Sequence, residues 1–229
     1  MRPPRFDAAQ LSLVRTPFDD PDFLFELKHD GFRALAHIWD GNCELISRRR
    51  NSYKSFQSLR DNLAKLKVKN AVIDGEIVCL DSEGRSIFNE LLFRRGYPIF
   101  YAFDLLYLNG HDLRQLPLIE RKEKLRALIE KSGLPDAICG KYVEGRGIDL
   151  FNEVVRLNLE GVVAKRKTGT YSTVSGWLKI KNPLYTQSER RHELFDSFKA
   201  KEKTLPPIPK KPPRRSRPLT ARRAKASNS

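Results

Sequence analysis

Residues 26–38 read ELKHDGFRALAHI, and the way this stretch divides decides the fold class. An apolar run ends at Leu27, a charged triplet follows at Lys28, His29 and Asp30, Gly31 breaks the chain, and residues 34–39 resume as an apolar strand. Two strands meeting at an Asp-Gly step predict a sharp turn in an antiparallel sheet. The step recurs at Asp40-Gly41, so residues 23–28, 34–39 and 43–47 are expected as three consecutive strands. Working outward, residues 71–80, 99–106, 161–165 and 176–180 carry further strand-like runs. Helices are expected at 55–67, where Phe56, Leu59, Leu63 and Leu66 recur at helical spacing, at 119–132 ahead of Gly133 and Pro135, and at 150–157. Strands and helices without regular βαβ alternation predict an α+β architecture built on antiparallel sheets.

The chain has 229 residues, 40% of them hydrophobic, enough for one sizeable core or two small ones. No apolar run approaches the roughly 18 residues of a membrane span, and no apolar stretch follows the basic N-terminus as in a secretion signal. The expected setting is the cytoplasm, with no membrane partner. Cys43, Cys79 and Cys139 are odd in number and widely spaced, which argues against a disulfide framework or a zinc site. Lys and Arg outnumber Asp and Glu by 43 to 28, and the net charge of +15 favours a polyanionic partner such as nucleic acid. Residues 201–229 hold +9 of that charge, leaving +6 for residues 1–200.

Four regions are expected. Residues 1–22, with Pro3, Pro4, Pro17 and Pro21, read as an extended lead-in, and residues 23–186 as the folded domain. Residues 187–200 offer one more helix, and the Pro, Lys and Arg-rich residues 201–229 contain too little apolar surface to offset their ordering entropy.

Five short segments could carry chemistry: Lys28 to Gly31, Asp74-Gly75-Glu76, Phe103-Asp104, Glu160 to Lys165, and Lys179-Ile180-Lys181. Four of them begin or end an apolar strand, where a charged group can project into a shared cleft. A lysine at such an edge is a candidate nucleophile, because burial or nearby cations such as Lys179 and Lys181 would favour its neutral amine. The same two lysines would neutralise charge on a phosphoryl group. Glu76 and Glu160 are hard-oxygen candidates for Mg²⁺ or ribose hydroxyls, and Phe103 for stacking on a base. Taken singly, each carboxylate reads equally well as a surface group, and Phe103 as a core residue.

Taken together and in this order, ELKHDGFRALAHI, DGEIV, YAFDLLYLNG, LEGVVAKR and WLKIKN resemble the adenylation domain of ATP-dependent DNA ligases, most closely the ligase module of bacterial multifunctional end-joining ligases. The resemblance covers approximately residues 20–185 and implies a nucleotidyltransferase fold, ATP-grasp-like, of two antiparallel sheets flanked by helices. It implies that Lys28 attacks the α-phosphate of ATP to form a lysyl-AMP, that AMP passes to a 5′-phosphate at a DNA nick, and that the 3′-hydroxyl then seals the strand.

It further implies that Glu26 contacts adenine, that Arg33 and Arg48 contact ribose or phosphates, and that Phe103 stacks on the base. Glu76 and Glu160 would serve Mg²⁺ or Mn²⁺, and Lys179 and Lys181 the phosphates. Nicked or broken double-stranded DNA, end-joining or repair proteins and a nucleoid location follow in the same way. RNA ligation and a non-catalytic DNA-binding scaffold are the alternatives. Ligases of this kind continue into an OB-fold after the fifth motif. Here 48 residues follow Lys181, and prolines at 206, 207, 209, 212, 213 and 218 exclude central-strand pairing through much of them, so no OB-fold is expected in this chain.

Overall fold

The computed structural model describes residues 1–172, 176–186 and 208–209. The helix expected within 187–200 lies outside the described residues, as does the tail at 201–229 apart from Ile208 and Pro209. The elements run β1 (Leu11–Val14), β2 (Asp20–Leu27), β3 (Phe32–Trp39), β4 (Asn42–Ser47), α1 (Gln57–Leu63), β5 (Asn70–Val78), α2 (Phe88–Leu92), β6 (Ile99–Leu108), β7 (His111–Asp112), α3 (Leu118–Ser132), β8 (Ala137–Cys139), β9 (Tyr142–Gly145), α4 (Gly147–Arg156), β10 (Gly161–Arg166) and β11 (Trp177–Lys181).

They build two sheets. The first has the order β1-β11-β10-β2-β9, and the second β4-β3-β5-β6-β7 with β8 beside β6. Pairing is antiparallel except for β1 with β11 and β6 with β8. The α+β expectation holds, with one parallel pair in each sheet.

β3 and β5 sit inside the second sheet with both faces covered, which is why their sequences read as near-continuous apolar runs. One face, with Ala34, Ala36, Ile38, Ile73 and Phe100, packs against Leu59 and Leu63 of α1 and Leu125 and Ile129 of α3. The other presents Leu35, Val72 and Leu106 to Val163 and Trp177 of the first sheet. The core therefore lies in two layers, one under the helices and one between the sheets.

Three expectations are corrected. Asp40 and Gly41, at φ 45° and 73°, do form the tight turn that joins β3 to β4. Asp30-Gly31 does not join neighbouring strands, because β2 belongs to the first sheet and β3 to the second. It carries the chain from one sheet to the other. A Cβ on Gly31 would lie 2.2 Å from the Ile77 carbonyl oxygen, so only glycine lets the crossing run this close to β5.

The lead-in is the second correction. It contains β1, which adds to the edge of the first sheet against β11, and it buries Ala9 between the sheets. Four residues of strand are too short to show a period. The helix expected over 55–67 is also shorter, running from Gln57 to Leu63, with Leu66 reaching the core from a turn.

Candidate active site

The sheets enclose a cavity of about 710 Å³, and all nine candidate residues line it. β2 delivers two of them. Glu26 lies on the strand and Lys28 just past its end, where the Lys28 amide donates to the Gly161 carbonyl at 2.9 Å. That bond sets Lys28 beside Glu160, the residue ahead of β10. The Lys28 Nζ donates to Glu160 Oε1 at 2.7 Å. Lys179, expected with Lys181 as a neighbouring cation, does feel the Lys28 charge, but the group directly against Lys28 Nζ is a carboxylate.

Alternation along β11 puts Lys179 and Lys181 on one face, lining the cavity with Arg48 from the turn after β4. Burial, then the charges of Lys181, Lys28 and Arg48, hold Lys179 below the usual lysine range. This end of the cavity is strongly cationic. Glu76 of β5 faces Arg33 across the β3–β5 pairing. Burial pushes its carboxyl up to about 8, and the Glu160 and Asp74 charges add to that against Lys28 and Arg33.

Phe103 reaches the cavity through a β-bulge. In the β5–β6 register Asp74 faces Asp104 and Gly75 faces Ala102, leaving Phe103 as the extra residue. Its ring meets Trp177 edge-on at 5.8 Å between centroids.

The deeper groups are held by one another. The Arg33 Nε and Nη2 donate to Asp74 Oδ1 and Oδ2, both at 2.6 Å, and the guanidinium lies 4.7 Å from the Phe103 centroid. The Tyr171 hydroxyl also donates to Asp74, at 2.6 Å. Arg33, expected to meet ribose or phosphates, is therefore committed to a carboxylate through two of its nitrogens. Glu26, expected to meet adenine, lies between two lysines, with Lys122 at 2.8 Å from Oε1 and Lys165 at 3.0 Å from Oε2. Burial opposes its charge, but the two ammonium groups hold the carboxyl below its usual value. Burial pushes Lys165 down to about 8. Its Nζ stands 3.9 Å from the Trp177 centroid and 4.4 Å from that of Phe103.

Sequence reasoning passed over Lys165, Lys122 and Trp177. For Lys165 a signal existed, a charged residue in the apolar run of β10. Lys122 gave none, since charge is ordinary on a helix such as α3. His29 is a packing side chain: its ring lies tilted against that of Tyr101 at 4.1 Å between centroids, its Nδ1 lies 2.8 Å from Ser86 Oγ, and burial, aided by Lys28, pushes its pKa down to about 4.

Known proteins resemble this chain over most of its length. Residues 8–181 match the family model described as the ATP dependent DNA ligase domain. The multifunctional non-homologous end joining protein LigD of Pseudomonas aeruginosa is 35% identical over 190 residues, covering 79% of this chain and 22% of that protein. A DNA ligase of Pyrobaculum calidifontis is 33% identical over 193 residues, covering 75% of this chain and 32% of its own length. The structure of a mycobacterial DNA ligase D complexed with ATP and MES superposes with a TM-score of 0.67 at 27% identity, covering 77% of this chain and 60% of that one. The chain thus spans about a fifth to a third of those two curated relatives. With the family model running from the lead-in to the last lysine of β11, the chain belongs to the ATP-dependent DNA ligase domain family.

Proposed function

We propose that the cavity takes AMP from ATP onto Lys28 and passes it to the 5′-phosphate at a nick or break in double-stranded DNA. The observation that carries this reading is the Lys28 Nζ held 2.7 Å from Glu160 Oε1 in the wall of a cavity whose other lining groups include Lys179, Lys181 and Arg48. A nucleophile, a carboxylate and a set of cations are what phosphoryl transfer requires, since it depends on positioning and charge neutralisation.

In the first step the Lys28 amine attacks the α-phosphorus. A nitrogen–phosphorus bond forms, the bond to the bridging oxygen breaks, and pyrophosphate leaves with the electron pair. The amine gives up a proton, and Glu160 is the adjacent acceptor. Lys179, Lys181 and Arg48 stabilise negative charge on the phosphates. Phe103, Trp177 and Lys165 face the base, and Glu26 and Arg33 hold this wall in shape. In the later steps a DNA 5′-phosphate oxygen displaces Lys28, and the 3′-hydroxyl displaces AMP.

Glu76 and Glu160 fit a divalent cation, Mg²⁺ or Mn²⁺. Burial and the neighbouring Glu160 and Asp74 charges raise the Glu76 carboxyl to about 8 despite the Lys28 and Arg33 charges, and among the described residues no cation forms an ion pair with it. Among the described residues no three His, Cys, Asp or Glu side chains group as a metal cage. Mg²⁺ is commonly bound by one or two carboxylates plus substrate phosphates. When bound there, the cation would supply further charge neutralisation at the phosphates. We place this activity in DNA repair or end joining, in the cytoplasm at the nucleoid, supported by the basic charge and the relatives' names. Among the described residues no helix is long and apolar enough to cross a membrane.

The test is incubation of de-adenylated protein with α-labelled ATP and Mg²⁺, read by intact-protein mass spectrometry, for the parent and Lys28→Ala. The expected result is one AMP on the parent and none on the variant. An adduct on both, or on neither, would overturn the assignment. Matched DNA and RNA nicks then identify the acceptor.

A further inference from the structure

A second concave surface lies on the outer face of the second sheet, under α1 and away from the cavity between the sheets. It has a volume of about 320 Å³ and is lined by Leu59 and Asn62 of α1, by Tyr97 and Pro98 ahead of β6, by Asp136 ahead of β8, and by Pro209. The last of these comes from far along the chain. Its neighbour Ile208 packs against the core cluster that holds Leu59, Leu63 and Phe100.

We propose that this groove is a docking site for the chain's own proline-rich segment, anchored by Ile208 and Pro209. The groove has the chemistry that recognises such a segment. Proline fixes φ near −65° before binding, so a proline-rich stretch loses little entropy on docking, and an aromatic wall suits its ring edges. Tyr97, two residues ahead of β6, supplies that wall and is 41% exposed.

Prolines stand at 206, 207, 209, 212 and 213, and Ile208 is the apolar side chain among them that reaches the core. Charge also matches. Lys210 and Lys211 follow directly, and the groove is rimmed by Asp61 and Asp136. The intervening chain is long enough to close the contact within one molecule. Twenty-one residues lie between Thr186 and Ile208 and can span roughly 70 Å, against a radius of gyration near 16 Å for a domain of this size.

The experiment is hydrogen–deuterium exchange on the full chain, comparing the parent with Ile208→Asp and Tyr97→Ser. Both substitutions should speed exchange of α1 amides at least about threefold while leaving α3 unchanged, because α1 loses its cover locally. A synthetic peptide of residues 203–213 should restore slow exchange in Ile208→Asp. Unchanged α1 exchange in Ile208→Asp would overturn the proposal. So would protection of α1 in the parent that grows with protein concentration, which would assign the groove to a second copy. Failure of the peptide to restore protection would overturn it as well.

Discussion

The floor and the mouth of the cavity between the sheets are both lined by charge, yet they use it differently. At the floor the charged groups hold one another: Glu26 with Lys122 and Lys165, and Arg33 with Asp74. Behind them Arg121 and Asp104 pair with neither side chain exposed. At the mouth, Lys179, Lys181 and Arg48 make no ion pair among the described residues. Paired charge fixes a shape before any ligand arrives, whereas unpaired charge keeps its field for the ligand's phosphates. The difference predicts that floor substitutions act on stability and mouth substitutions on chemistry.

The largest effect should come from the floor. Asp104→Ala leaves the Arg121 guanidinium buried without its bidentate partner, whose bonds to Nε and Nη2 are both 2.8 Å long. Removing one member of a buried pair typically costs about 3–5 kcal/mol. Urea unfolding should show a loss of that size. A loss under about 1 kcal/mol would mean that apolar packing, and not the ion pairs, holds the floor.

A mouth substitution should reverse the pattern. Lys179→Ala or Lys181→Ala should slow formation of the lysyl-AMP by roughly 10- to 100-fold, equivalent to about 1.4–2.7 kcal/mol of transition-state stabilisation. Each should move unfolding stability by less than about 0.5 kcal/mol, as is usual for substitutions at exposed or half-exposed sites. Single-turnover adenylation and urea unfolding on the same preparations separate the two effects. A stability loss matching the kinetic loss would erase the distinction between floor and mouth.

The mouth was more legible in the sequence than the floor, for a physical reason. Lys179 and Lys181, like the paired Lys28 and Glu160 beside them, stand at or beside the ends of apolar runs, and a charge at such a junction is visible one strand at a time. Lys122 lies 96 residues from Glu26, and nothing local to α3 marks it as that carboxylate's partner. The fold divides in the same way. Asp40-Gly41 and Asp30-Gly31 look alike, and each bends the chain sharply. Whether the next strand pairs with the last or joins another sheet depends on distant strands, β5 above all. β1, β8 and β9, at four, three and four residues, owe their existence to their neighbours in the sheet and show no period of their own.

The smallest effect is expected at the rim, where a charged pair looks organising and should not be. Arg50 sits in the left-handed region at φ 61°, and its guanidinium reaches Asp7 of the lead-in at 2.8 and 2.7 Å. Its loop carries Arg48 and Arg49, which line the cavity. Arg50→Gly removes an exposed pair that solvent screens, relieves the strain of the left-handed backbone, and makes the unfolded chain more flexible. These nearly cancel, so unfolding stability should change by less than about 1 kcal/mol. Adenylation should change by less than about threefold. The loop has its own fastenings, because Ser47 and Asn51 are joined by a backbone bond of 2.8 Å, Arg50 N donates to the Ser47 carbonyl at 2.8 Å, and Asn51 N donates to Ser47 Oγ at 3.1 Å. A tenfold loss of adenylation in Arg50→Gly would show instead that the lead-in, through Asp7, positions Arg48 over the cavity, and the mouth would then be as preorganised as the floor.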